Sequence, residues 1–345
     1  MKRRHYLGLF GVSVTPVLAG CSSDPDVEES GNGGDDASGE GDDASGEGEE
    51  QEVFEFGSEV EFFDDEERLI FRPHNARLTN TLFYEQSDRI RSEVPDDDLF
   101  LLMDVEMESV GDEEVRIPGT VDFTVDGAGS DNERLTRGVE NAYAEFGELR
   151  PGVSETATMV FSISETDSEG TLFAEFGTIE TITAEWSLDL STVERDIIDL
   201  QDNSVGDTIT VGTDEANYEL EVTDVESTES YTFTNYLDEE EEDVASDGME
   251  WLFVDIRAEN TGQGTIRVPS PRDVQIIADN QQFDRERHSG DVDEYEGRDL
   301  SEGIVEESFL LFEIPSDADD VTIEVDITSD VLATWNVQPD SSISY

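Results

Sequence analysis

Two halves of this chain carry the same pattern 151 residues apart, and that repeat limits its fold more than any other feature. Phe100-Leu101-Leu102-Met103-Asp104-Val105 aligns with Trp251-Leu252-Phe253-Val254-Asp255-Ile256. Without a gap, Gly111 then meets Gly262, and Val115-Arg116-Ile117-Pro118 meets Ile266-Arg267-Val268-Pro269. The same offset pairs Leu149 with Leu300, Gly152 with Gly303, Phe161 with Phe312 and Ile163 with Ile314. Slightly shifted, Phe56-Gly57 matches Val205-Gly206 and Trp186 matches Trp335. Agreement of apolar positions and glycines over such a span indicates duplication of a whole domain.

Within each copy the dominant hydrophobic period is two, the period of a strand with one buried face. Tyr218, Leu220 and Val222 alternate with Glu and Thr, and Val321, Ile323, Val325 and Ile327 alternate as cleanly. Short strands punctuated by Gly, Asp, Asn and Pro predict an all-β fold of two tandem immunoglobulin-like β-sandwich domains. The expected boundaries are 53–190 and 204–345, with 191–203 as the link. Domains of this size bury enough surface to fold without staples.

The N-terminus has the parts of an export signal. Lys2, Arg3 and Arg4 precede an apolar run from Leu7 to Ala19, too short and too diluted to span a bilayer, which needs about 20 apolar residues. Arg3-Arg4-His5-Tyr6-Leu7 resembles the twin-arginine export motif, and Leu18-Ala19-Gly20-Cys21 resembles the lipobox of secreted lipoproteins. The first implies an export address, and the second implies removal of 1–20 and acylation of Cys21, the only cysteine. Two acyl chains anchor stably where one does not. The mature chain then has no disulfide, so stability must come from packing. Residues 21–52 are Gly, Ser, Asp and Glu with a tandem Asp-Asp-Ala-Ser-Gly-Glu-Gly, expected to be a disordered acidic tether. As a coil it would span about 30 Å, and fully stretched about 100 Å.

Charge narrows the list of partners. Against 89 Asp and Glu stand 19 basic residues, for a formal charge of −70, and the one lysine is Lys2. Because the acidity continues through segments of clear strand period, disorder explains only the tether. Multimolar salt is the alternative: at about 1 M the Debye length falls to about 3 Å and self-repulsion is screened. Acidic surface with lysine absent resembles the proteins of extremely halophilic archaea. Nucleic acid is excluded as a partner, since phosphate binding needs clustered basic residues.

The second copy resembles a known family. It has Val-Gly-Asp-Thr at 205–208, Leu-Phe-Val-Asp-Ile-Arg-Ala-Glu-Asn at 252–260, Ile-Arg-Val-Pro at 266–269, and Leu300-Ser301-Glu302-Gly303 followed by Phe309-Leu310-Leu311-Phe312-Glu313-Ile314-Pro315. This order is similar to the telokin-like, immunoglobulin-like secreted domain called domain of unknown function 4352. The resemblance covers 204–328 directly and 54–190 mainly through the repeat. It implies a β-sandwich and an exported location, and it supplies no catalytic residue.

Catalysis fails on inventory. Beyond the signal there are two histidines, His74 and His288, at non-matching positions, and no Gly-x-Ser-x-Gly elbow. Zinc or iron lacks thiols and paired histidines. Calcium is weighed at Asp238–Asp243, read as an acidic loop, and at Asp96-Asp97-Asp98. Such continuous runs lack the glycine that shapes a calcium loop, so solvated carboxylates are the expected reading. No cofactor is expected beyond covalent lipid on Cys21.

Asp104 and Asp255 interrupt apolar strands at equivalent positions, with Arg116 and Arg267 one strand later. Cross-strand ion pairs Asp104–Arg116 and Asp255–Arg267 are expected, as devices of register worth about 0–1 kcal/mol each. Thr79-Asn80-Thr81-Leu82-Phe83-Tyr84 echoes Thr234-Asn235-Tyr236-Leu237 in long insertions before those strands. With Tyr231 and Phe233, the aromatic residues Phe83, Tyr84 and Tyr236 mark where a partner surface would be sought. The competing and favoured reading is that they cover the end of a sandwich. The function expected is a non-enzymatic, membrane-anchored surface lipoprotein of binding or structural type, whose partner is an unknown surface protein or polymer. The alternative is an accessory solute-binding lipoprotein of a transport system.

Overall fold

The computed structural model describes residues 53–337 except 65–66, 96–97, 127, 130–137, 140, 144–146, 177–181, 236 and 291. Cys21, Arg3, Arg4, the tether, Tyr236 and Asp96-Asp97 therefore lie outside the described residues. What is described is built from strands, with one short 3-10 turn at Thr120–Asp122.

In the first half one sheet has the order β1 (Val53–Glu55), β13 (Ile182–Leu188), β12 (Gly170–Phe176), β8 (Phe123–Val125) and β9 (Ala128–Gly129). The facing sheet runs β11 (Ser154–Ile163), β6 (Leu99–Ser109), β3 (Glu67–Thr79) and β14 (Glu194–Asp196), with β2 (Val60–Asp64) also on β3. Two ribbons complete it: β4 (Leu82–Glu85) with β5 (Ile90–Glu93), and β7 (Val115–Arg116) with β10 (Glu148–Leu149).

The second half repeats this plan. One sheet is β15 (Asn203–Ser204), β28 (Leu332–Val337), β27 (Val321–Asp326), β22 (Val274–Ala278) and β23 (Gln281–Phe283). Its partner is β16 (Thr208–Gly212), β17 (Asn217–Thr228), β20 (Met249–Asn260), β26 (Val305–Pro315) and β24 (Arg285–Glu286). The ribbons are β18 (Ser230–Thr234) with β19 (Glu240–Val244), and β21 (Thr265–Arg267) with β25 (Asp299–Ser301). Two facing sheets with a period-two inner surface make each half a β-sandwich.

The duplication reaches individual hydrogen bonds. Gly57 and Gly206 sit at φ +92° and +93°, the third position of four-residue turns closed by Ser58 N–H to the Glu55 carbonyl and Asp207 N–H to the Ser204 carbonyl. That position of a type II turn needs positive φ, which glycine adopts freely. The carbonyl leaving each turn accepts a buried indole: Trp186 Nε1–H donates to Ser58 at 3.0 Å and Trp335 Nε1–H to Asp207 at 3.1 Å. The third strand of each copy is bulged at positions one residue apart in the alignment, between His74 and Ala76 and between Val222 and Asp224. Buried Tyr143 donates to the Pro118 carbonyl at 2.8 Å, and buried Tyr295 to that of Pro269 at 3.0 Å. Burial pushes both phenols well above their ordinary range, so they remain donors.

Each sandwich has its own core. The first packs Phe71, Phe123 and Trp186, with ring centroids 5.3 and 5.4 Å from Phe71, and the second centres on Tyr218, Phe312 and Trp335. The two are not strung loosely. Phe83 and Ile90, on the β4–β5 hairpin of the first half, are each 6% exposed because they join the second core beside Ile209 and Val211. Burying side chains of this kind stabilises by about 1.5–3 kcal/mol apiece. Within 191–203, Asn80 fastens the chain twice: its amide donates to the Ile198 carbonyl at 2.9 Å and accepts the Ile198 N–H at 3.0 Å.

Candidate binding sites

The tip of the β4–β5 hairpin is a two-residue turn, Ser87-Asp88, with both residues at positive φ (56° and 62°), as a type I′ turn requires. It lies against the second sandwich, where the Arg267 N–H donates to the Asp88 carbonyl at 2.7 Å and Arg89 and Arg267 form a parallel bridge. Ser92 and Thr328 share a side-chain hydrogen bond at 2.5 Å. Between hairpin and sandwich a cleft of about 390 Å³ remains. Arg89 and Arg91 line it from the hairpin, and Arg267, Ser270, Thr328 and Ser329 from the sandwich. Two carboxylates also line it, Asp273 and Asp326; Asp273 Oδ2 is held by the Ser270 N–H at 2.7 Å. Tyr218 lies behind, its phenol pushed far above its ordinary range by burial and then by Asp273, so it is neutral.

A second assembly occupies the outer face of the β17–β20–β26 sheet. Phe253 and Phe309 project from it with centroids 5.4 Å apart, and the β18–β19 hairpin folds over them. Tyr231 stacks on His288 at 4.6 Å and 28°, and meets Trp251 and Phe253 edge-on at 5.7 and 5.4 Å. The Tyr231 hydroxyl donates to Asp243 Oδ2 at 3.0 Å and accepts the Ser289 N–H at 3.3 Å. Desolvation is the main cause that raises this phenol's pKa. Gly290 is required here, because a Cβ there would lie 2.9 Å from Phe233 Cβ. The first copy has a smaller, mostly aliphatic counterpart in Leu82, Phe100, Leu102, Val139 and Val160.

These placements correct several expectations. The insertions are β-hairpins, and the rings of Phe83, Tyr231 and Phe233 pack against the folded body, which matches the favoured covering reading rather than a free partner surface. Phe83 is covered by the second sandwich; Tyr84 is half-buried, its hydroxyl 3.5 Å from Glu93 Oε1; Tyr231 and Phe233 are spent on their own sheet. Nor is all of Asp238–Asp243 a loop, for only Asp238 and Glu239 lie in the hairpin turn. Glu240–Val244 is strand β19, whose alternate carboxylates point to opposite faces and cannot converge on one ion. Among the described residues no three His, Cys, Asp or Glu side chains are grouped to hold a metal.

The expected ion pairs are also replaced. β6 lies between β3 and β11, and Asp104 accepts a hydrogen bond from Thr158 Oγ1 at 2.7 Å. Arg116 is in the separate β7–β10 ribbon, opposite Glu148. Arg267 likewise sits opposite Asp299, its Nε 4.0 Å from that carboxylate. Asp255 faces Asp224 across the ladder and has Glu226 and Glu307 nearby; burial first, then these charges, raises its pKa. The expectation assumed that successive strands pair, whereas both ribbon strands pair with later segments.

Arg89 and Arg91 were passed over by sequence reasoning. The available signal was scarcity: with 19 basic residues in all, close pairs such as Arg89 with Arg91 and Arg285 with Arg287 are few.

No family model and no curated protein matches this chain. Among solved structures, an uncharacterized beta-sandwich protein from Clostridium difficile is similar over 41% of this chain and 97% of its own, at 10% identity and a TM-score of 0.28. The secreted protein MPT63 from Mycobacterium tuberculosis is similar over 40% of this chain and 98% of its own, at 10% identity and a TM-score of 0.30.

Proposed function

We propose that this is an exported, lipid-anchored protein that holds a joined pair of β-sandwiches outside the cell as a non-enzymatic binding or structural unit in high salt. The observation that carries the reading is the β4–β5 hairpin, whose Phe83 and Ile90 complete the core of the second sandwich. Two sandwiches tied this way present one composite surface rather than two independent beads. Support for the anchor comes from Cys21 closing an apolar run, and for the spacing from the acidic stretch that follows. Replacing Cys21 with Ser and fractionating cells tests it. Wild type should pellet with membranes and the variant should appear in the medium; equal membrane retention would refute the anchor.

A second reading, an accessory solute-binding lipoprotein, is favoured by the 390 Å³ cleft, which is within the range of small-molecule sites. Deleting the protein and finding uptake of every solute unchanged would count against it.

A further inference from the structure

We infer that the cleft between the β4–β5 hairpin and the second sandwich is a binding site for a small oxyanion of charge −2 or more, held by Arg89, Arg91 and Arg267. The inference goes beyond the proposed function and does not need the lipid anchor.

The distribution of arginine carries it. Acidic residues outnumber basic ones 89 to 19, so an arginine placed at random meets a carboxylate. Eight of the 14 described arginines lie within ion-pair distance of one, among them Arg68 with Glu61, Arg72 with Glu106, Arg257 with Glu259 and Arg285 with Glu294. Arg89 and Arg91 have no ion pair among the described residues, and Arg267 comes no nearer than 4.0 Å to Asp299. Yet the backbone fixes Arg89 beside Arg267 through the parallel bridge and the Arg267–Asp88 hydrogen bond. Like charges held next to each other are destabilising unless a counter-charge sits between them. The neighbouring segment strengthens the case. Residues 267–270 line this cleft, and Arg272, with Arg285 and Arg287, lines a second one of about 440 Å³. Six of the 14 described arginines thus line these two clefts, the second of them alongside Asp284 and Glu286.

The chemistry of the ligand follows from the side chains. A guanidinium donates two parallel N–H bonds to a carboxylate or phosphate, and hydroxyls such as Thr328 and Ser329 can serve either. Asp273 and Asp326 in the same lining offset two of the three guanidinium charges, but three guanidiniums offer more paired N–H donors than one carboxylate can accept, so a ligand with more than one anionic group engages all of them. The available volume suits a di- or tricarboxylate or a small phosphoryl compound.

The test is isothermal titration of the full mature protein in detergent and 1 M KCl, where the Debye length is about 3 Å and the overall negative field is screened. Succinate, citrate, inorganic phosphate and acetate are titrated at matched ionic strength. Saturable binding of the multivalent anions is expected, with acetate at least tenfold weaker. Arg89→Gln with Arg91→Gln should weaken binding tenfold or more, while Arg150→Gln, at a distant exposed pair with Glu114, leaves it unchanged. Unaltered near-ultraviolet circular dichroism confirms that the double variant is folded. Preference for succinate and citrate over phosphate assigns an organic carboxylate, and the reverse assigns a phosphoryl ligand. Absence of saturable binding, equal affinity for acetate, or equal affinity of the double variant would overturn the inference.

Discussion

The indole N–H of Trp335 and the carbonyl of Asp207 are joined at 3.1 Å across 128 positions of chain, and the first copy joins Trp186 to Ser58 at the same separation. In each case the acceptor follows a glycine turn and the donor is fully buried, so the bond ties the opening of each sandwich to its last strand.

Substituting Trp335 with Phe keeps most of the apolar volume and leaves the Asp207 carbonyl without its donor. A loss of about 1–3 kcal/mol is expected. Guanidinium chloride titration followed by circular dichroism would measure it, and an unchanged midpoint would show that water replaces the bond at no cost.

Truncating Phe83 to Ala removes a ring belonging to one half of the chain from the core of the other. The expected cost is about 3–5 kcal/mol, felt mainly in the unfolding transition of the second sandwich. Differential scanning calorimetry should show that transition moving down while the transition of the first sandwich shifts little.

Asp255 titrates above the ordinary carboxylate value because of burial and then Asp224, Glu226 and Glu307. A raised acid binds its proton more tightly folded than unfolded, so its contribution falls as pH rises from the unfolded pKa of about 3.9 through the folded one. Asp255→Asn removes that penalty. The variant should be more stable than wild type near neutrality, with the difference vanishing below about pH 4, as urea titrations at several pH values would reveal.

A net charge of −70 opposes compaction wherever it is unscreened. Raising KCl from 0.1 to 1 M shortens the Debye length from about 10 Å to about 3 Å, so the melting temperature should climb over that range. A flat or falling profile would mean that the acidic surface is not a burden the solvent must relieve.

The duplicated sandwich was legible because it is written in local alternation: Leu252, Val254, Ile256 and Ala258 face inward on β20 whatever their neighbours do. The glycines of the opening turns were legible for a similar reason, since positive φ restricts the residue. Tyr143 and Tyr295 were missed. They match at an offset of 152 rather than 151, and the residues around them share nothing. The destinations of the aromatic insertions were not legible at all. Phe83 and Tyr231 look alike in sequence, yet one crosses to the next sandwich and the other folds onto its own sheet, a choice made by three-dimensional packing. The ion pairs failed because strand order along the chain is not strand order in a sheet.

The hairpin gripping the second sandwich makes the dependence between the halves one-directional. The first half lends Phe83 and Ile90 to its sibling, and that sibling's β16 edge lies beneath them. Cut apart, the donor would carry two stray apolar side chains at the end of a ribbon, whereas the recipient would have an unfinished interior. What the second sandwich borrows for its interior it does not return, since among the described residues the first core holds no side chain from beyond the link.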